Sequence, residues 1–114
     1  MKYNAIGNSY EDTTLIHNKS IPITYVLDRS HDIGDLIDKY TDLDVNAVAD
    51  YTKQFGIYAL SEEYGIEVQD LTLSAIAVFS SFIQYIYRSD KLGMRHCLCI
   101  YYDNGSIVDY NLSW

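Results

Sequence analysis

His96-Cys97-Leu98-Cys99 gathers three side chains of types that bind transition metals, and a thiol with an imidazole nearby is also how a cysteine nucleophile finds its base. Strand alternation sends His96 to the face opposite Cys97 and Cys99. A complete zinc site would then need His17 and His31 to converge from elsewhere in the chain. An apolar strand also raises a thiol pKa, which works against nucleophilic use. Two buried structural cysteines are therefore expected, without a metal or a cofactor. Same-face neighbours on one strand are poorly placed to bridge each other, and two cysteines are too few for a disulfide scaffold, so a reducing cytoplasm is the simpler setting.

Asp42-Leu43-Asp44-Val45-Asn46 matches the first three ligand positions of a calcium-binding EF-hand loop. The glycine that makes the sharp turn is replaced by Ala47, and Lys53 stands where a bidentate acid is needed. A cation at that position defeats the site, leaving a turn followed by a capped helix. Leu60 to Ile66 has the outline of a helix-turn-helix. Its reading helix would be Leu71 to Tyr87, which contains no Lys or Arg and follows a strongly acidic segment.

That acidic segment is the most informative feature of the chain. The formal net charge is −8, and the stretch from Asp28 to Asp70 holds eleven acidic and three basic residues. The rest of the chain is balanced. Asp32, Asp35, Asp38 and Asp42 recur at steps of three and four, which on a helix makes one stripe, opposite Ile33, Leu36, Ile37 and Tyr40. Asp28 extends the stripe if the helix starts earlier, and Glu62, Glu63 and Glu67 add charge further on. A solvated face that keeps the protein soluble is the plain alternative. Like charges at this spacing repel by a few tenths of a kcal/mol, roughly, per pair, and Lys39 and Arg29 offset only part of that. Tolerated repulsion points to a cationic partner, which such a stripe would steer in. Tyrosines supply rigid contact area at low entropic cost. The chain has twelve, of which Tyr40, Tyr51, Tyr58 and Tyr64 lie among the acids.

These groups need a scaffold. Asp70 to Arg88 is apolar on nearly every side and carries the four-and-three spacing Leu71, Ala75, Phe79, Phe82, Ile86. The pattern predicts a long buried helix, with Asp70 as its cap and Gly93 as its stop. Gln84 and the hydroxyl residues within it, together with its length, argue against a membrane span, which needs about twenty clean apolar residues. Ahead of it, Ser30 is read as the cap of a helix through Tyr40, Asp44 as the cap of a second, and Ile57 to Tyr64 as a third. Thr13 to His17 and Ile21 to Leu27 read as strands, joined by a turn at Asn18-Lys19-Ser20, and Pro22 places the second strand at an edge or at its own start. Asn104-Gly105 is the preferred two-residue hairpin turn. It implies pairs Tyr102–Ile107, Cys99–Tyr110 and Cys97–Leu112, with Val108, Tyr110, Leu112 and Trp114 on one face. The outgoing strand, apolar on both faces, belongs inside a sheet.

The expected architecture is a single α+β domain over residues 1–114. Short helices and one long buried helix pack on a small, mostly antiparallel sheet with a C-terminal β-hairpin. No amino-terminal secretion signal is read. The expected function is a non-catalytic acidic inhibitor of the immunity-protein or antitoxin type, acting in the cytoplasm. Asp32, Asp35, Asp38, Asp42, Tyr40, Glu62 and Glu63 would contact a basic protein partner, a toxin that is a nuclease or acts on nucleotides. Nucleic acid and anionic membranes are unsuitable partners for this charge. Alternatives are a phage-encoded charge mimic that inhibits a host defence protein, a small enzyme or ligand-binding domain around Tyr101, His96 and Arg95, and a subunit completing an oligomer.

Overall fold

The computed structural model of the protein describes residues 1–16, 18–40, 70–90 and 97–113. Among these residues seven strands run in chain order: β1 Lys2–Asn4, β2 Ser9–Ile16, β3 Lys19–Val26, β4 Thr72–Val78, β5 Ile83–Arg88, β6 Cys97–Asp103 and β7 Ser106–Ser113. They form one sheet in that same spatial order. Every neighbouring pair is antiparallel except β3 and β4, which pair parallel through Ile23–Ile76, Thr24–Ala77 and Tyr25–Val78. A parallel join requires a crossover rather than a tight turn. The chain between β3 and β4 includes a helix, α1, Ile33–Tyr40.

Asparagine sets the tight turns. Asn8 between β1 and β2, Asn18 between β2 and β3, and Asn104 between β6 and β7 all have positive φ, a conformation that asparagine tolerates better than branched residues. Gly105 follows with φ of 76°, giving the paired left-handed turn expected of Asn-Gly.

One face of the sheet carries the core. Ile21, Ile23 and Tyr25 on β3, Ile76 and Val78 on β4, Ile83, Tyr85 and Tyr87 on β5, and Leu98, Ile100 and Tyr102 on β6 are all buried. Their registers place them side by side across four strands. Leu36 of α1, 1% exposed, belongs to the same cluster, with Ile33 and Tyr40 at its margin. This alternation in β3 and β5, apolar inward and more polar outward, is what period two demands of a half-buried strand.

The long buried helix expected over Asp70 to Arg88 does not form, and the α+β architecture built on it is wrong. That stretch is the β4–β5 hairpin. Phe79 N donates to Phe82 O at 2.9 Å across the turn Ser80-Ser81. The Phe79 and Phe82 rings sit 4.7 Å apart beside it. Two adjacent strands joined by the four residues Phe79 to Phe82 make an apolar run as long as a helix, and periodicity alone does not separate the cases. No helix follows Asp70, because β4 begins at Thr72.

Other expectations are corrected in detail. Asp32, not Ser30, caps α1. Pro22 lies within β3, an interior strand, but the ladder to β4 begins only at Ile23, so its missing amide interrupts nothing there. Tyr102 pairs with Ile107 as expected, and a bulge at the next step makes Val108 an extra residue. Beyond it, Cys99 pairs with Asn111 and Cys97 with Ser113. The interior placement of β6 and the hairpin turn are as expected, and the strand expected over Ile21 to Leu27 is β3, Lys19–Val26. The helices expected after Asp44 and over Ile57 to Tyr64, and the stop at Gly93, lie outside the described residues. Among the described residues no helix is long and apolar enough to cross a membrane.

Candidate functional site

The helix α1 opens with a reciprocal cap. Asp35 N donates to Asp32 Oδ1 at 3.0 Å, and Asp32 N donates to Asp35 Oδ2 at 3.2 Å. This satisfies amides that the first turn leaves over, and it puts two carboxylates at the positive end of the helix dipole. From that start, Leu36 falls on the sheet side, while Asp35 and Asp38 face solvent. Lys39 is the only cation of α1, and its Nζ lies 2.9 Å from Asp103 Oδ1 at the end of β6. The acidic stripe through Asp32, Asp35 and Asp38 is thus exposed, on a helix anchored by Leu36 and Lys39.

Not every residue expected on this surface lies there. Tyr40 is half-buried. Its hydroxyl hydrogen-bonds the Thr14 hydroxyl on β2, and its ring meets Tyr25 edge-on at 6.1 Å. It seats the helix on the sheet and is not part of the exposed stripe. Asp42, Glu62 and Glu63 lie outside the described residues.

Asp28 does not extend the stripe either, because α1 begins after it. Its carboxylate accepts from the Ser30 amide at 2.8 Å and the His31 amide at 2.9 Å, and the His31 ring Nδ1 lies 3.1 Å away. Together the Ser80 hydroxyl, the Ser30 amide and the His31 side chain hold the Asp28 carboxyl down at about 2. Asp28 follows β3 and Ser80 follows β4, so this cluster joins the carboxyl ends of the two parallel strands. A carboxyl held this low has too little basicity for proton abstraction near neutrality. Sequence reasoning missed the Ser80 contact. The turn at Asp28-Arg29-Ser30-His31 was missed too, since Asp28 was read as an extension of the stripe and Ser30 as a cap; an aspartate ahead of a polar run is the signal that could have found it.

The opposite face of the sheet is chemically quieter. Cys97 and Cys99 are buried free thiols with sulfurs 3.7 Å apart. Burial pushes the Cys99 thiol up. On the same face Tyr101 Oη accepts from Gln84 Nε2 and Asn111 Nδ2, each at 3.3 Å. Phe82 stands edge-on to the Tyr101 ring at 5.1 Å. Arg95 and His96, expected near Tyr101, lie outside the described residues. Among the described residues no three His, Cys, Asp or Glu side chains gather as a metal site.

The fold defines a class in structural terms: a seven-stranded, mostly antiparallel sheet with one parallel join and a helix over its core face. No protein-family model, curated protein or solved structure matches the chain.

Proposed function

We propose that this protein is a non-catalytic binder that lays the acidic face of α1 on a cationic surface of another protein, and that it inhibits that protein by covering it. A basic toxin acting on nucleic acid or nucleotides fits best, because its substrate-binding cleft is positive for the same reason that phosphate is negative. The setting proposed is the cytoplasm. One observation carries the reading. Asp35 and Asp38 are exposed on a helix fixed to the core by Leu36 and by the Lys39–Asp103 pair. The excess acid of the Asp28 to Asp70 segment extends the same negative field.

The test compares the wild-type chain with Asp35→Lys/Asp38→Lys, both immobilised and exposed to lysate of the source cells. A basic protein held by the wild type, lost from the variant and released near 1 M salt, where the screening length is about 3 Å, is expected. Its activity on nucleic acid or nucleotides should stop when one equivalent of wild type is added. Equal retention by both chains, or full activity in the complex, overturns the proposal.

A further inference from the structure

Cys97 and Cys99 are the only cysteines of the chain, and β6 sets them on one face with Leu98 between them. Strand rise spaces such neighbours by about 6.6–6.8 Å at Cα. Side chains standing straight up from the sheet would keep their sulfurs about that far apart. Instead the two sulfurs lie 3.7 Å from each other, so both side chains lean inward along the strand. Each is a buried free thiol, Cys99 at 3% exposure and Cys97 at 9%.

Two uses of a converged thiol pair compete. A disulfide needs the sulfurs at about 2.05 Å, and a strand spacing of about 6.8 Å is the far end of the Cα range that bridged pairs span. β6 is paired on both sides, to β5 and β7, and cannot shorten freely to relieve that. A bridging metal ion needs no such movement. With metal–sulfur bonds of about 2.3 Å, a sulfur separation of 3.7 Å gives an angle at the metal of about 107°. That is an ordinary coordination angle, and a small rotation of either side chain widens it.

The neighbours of the pair suit a thiolate. Tyr101, two residues along the same face, accepts hydrogen bonds from Gln84 Nε2 and Asn111 Nδ2 at its hydroxyl oxygen, which leaves its own proton to donate. Burial raises the Cys99 thiol, and the Gln84 and Tyr101 side chains oppose that rise.

We propose that Cys97 and Cys99 form a dithiolate site for a soft, thiophilic cation, with monovalent copper as the best match. Thiolates select soft ions, and copper(I) is satisfied by two of them, so the pair is a complete ligand set. The objection to zinc, that it also needs His17 and His31, does not apply. On binding, two copper–sulfur bonds form and both thiol protons pass to solvent; no electron moves. The bound group keeps one net negative charge, which the Gln84 and Tyr101 side chains offset.

The test uses the reduced full chain without oxygen, with copper(I) delivered from a coloured copper(I) chelator. Wild type should withdraw one ion per chain, and Cys97→Ser/Cys99→Ser none. Each single serine variant should bind about a hundredfold or more weakly. Because the folded strand already holds the sulfurs together, copper should bind the native chain better than the unfolded one. A small excess should then raise the melting temperature by about 5 °C or more, and Zn²⁺ should raise it less. If the serine variants do not fold, uptake and melting of the wild type decide. No uptake, equal uptake by the double serine variant, a melting temperature that copper leaves unchanged or lowers, or a larger rise with Zn²⁺ overturns the proposal.

Discussion

Lys39 reaches from the last turn of α1 to Asp103 at the end of β6, with Nζ 2.9 Å from Oδ1. This contact ties the helix to a strand distant in sequence, and it decides the charge of the helix surface. The Lys39 side chain is 21% exposed and that of Asp103 38%, so solvent screens the pair. Lys39→Met should cost about 0.5–1 kcal/mol in thermal or urea unfolding. Asp103→Asn should cost about as much, and the double variant less than the sum, because the two changes remove one interaction. Neither change touches Asp35 or Asp38, so partner capture should survive both; loss of capture in Lys39→Met would assign the lysine to the interface.

Alternation in β5 separates a hairpin from a helix by mutation. Ile83 and Tyr85 are 3% and 0% exposed, whereas Gln84 between them is only half-buried and faces the other side. Ile83→Ala should cost about 2–5 kcal/mol and Tyr85→Ala about 3–5 kcal/mol, by lost contacts and cavity formation. Gln84→Ala should cost about 1 kcal/mol, the value of its hydrogen bond to Tyr101. Chemical denaturation of the three variants gives the comparison. Equal losses at all three positions would contradict the period-two arrangement.

The reason this hairpin is hidden in the sequence is local. Its turn is Ser80-Ser81, without the glycine, asparagine or proline that punctuates other turns. The bulge between Leu73 and Ala75 breaks the alternation of β4, and the small outward residues Ala75 and Ala77 suit a helix equally well. Only Ile83-Gln84-Tyr85-Ile86-Tyr87-Arg88 shows period two with β-branched and aromatic residues, a strand signal that the helical reading of the whole stretch passed over. By contrast, Asn104-Gly105 declared its hairpin through chemistry that few other pairs share. Even there the Val108 bulge shifted the register by one residue, because a bulge depends on how both strands twist and leaves no mark of its own. The exposed stripe of α1 was legible because helical spacing fixes it. Tyr40 was misplaced because its partners, Thr14 and Tyr25, come from strands whose position over the helix is set by the sheet.

Gly105 has φ of 76° and open space around the position where a Cβ would stand. Substitution therefore meets no steric clash, and only the backbone conformation is penalised. Gly105→Ala should destabilise by about 1–2 kcal/mol, the cost of the left-handed region for a residue with a Cβ. Asn104→Gly, at φ of 51°, should change stability by well under about 1 kcal/mol, since glycine enters that region freely. Thermal melts of both variants check the pair. A larger loss for Asn104→Gly than for Gly105→Ala would show that the asparagine side chain, rather than the backbone turn, holds the hairpin.

Asp28 gives the acid limb of stability its sign. Its carboxyl is held at about 2 by the Ser80 hydroxyl, the Ser30 amide and His31, below its ordinary value of 3.8. Between those two values the unfolded chain binds a proton that the folded chain does not. Stability therefore rises with pH across that interval and is fully present above it. As pH falls from about 4 toward 2, the contribution fades. Ser80→Ala removes the largest cause, so the Asp28 carboxyl should titrate at higher pH and the acid loss should begin earlier. Asp28→Asn should flatten this part of the profile, with its stability deficit greatest at neutral pH and shrinking as the wild type is acidified. Urea midpoints measured from pH 2 to pH 6 for the three chains provide the comparison. A deficit in Asp28→Asn that stays constant down to the lowest pH would mean that the carboxylate is not held ionised by those donors, and that the loops are joined by something other than its charge.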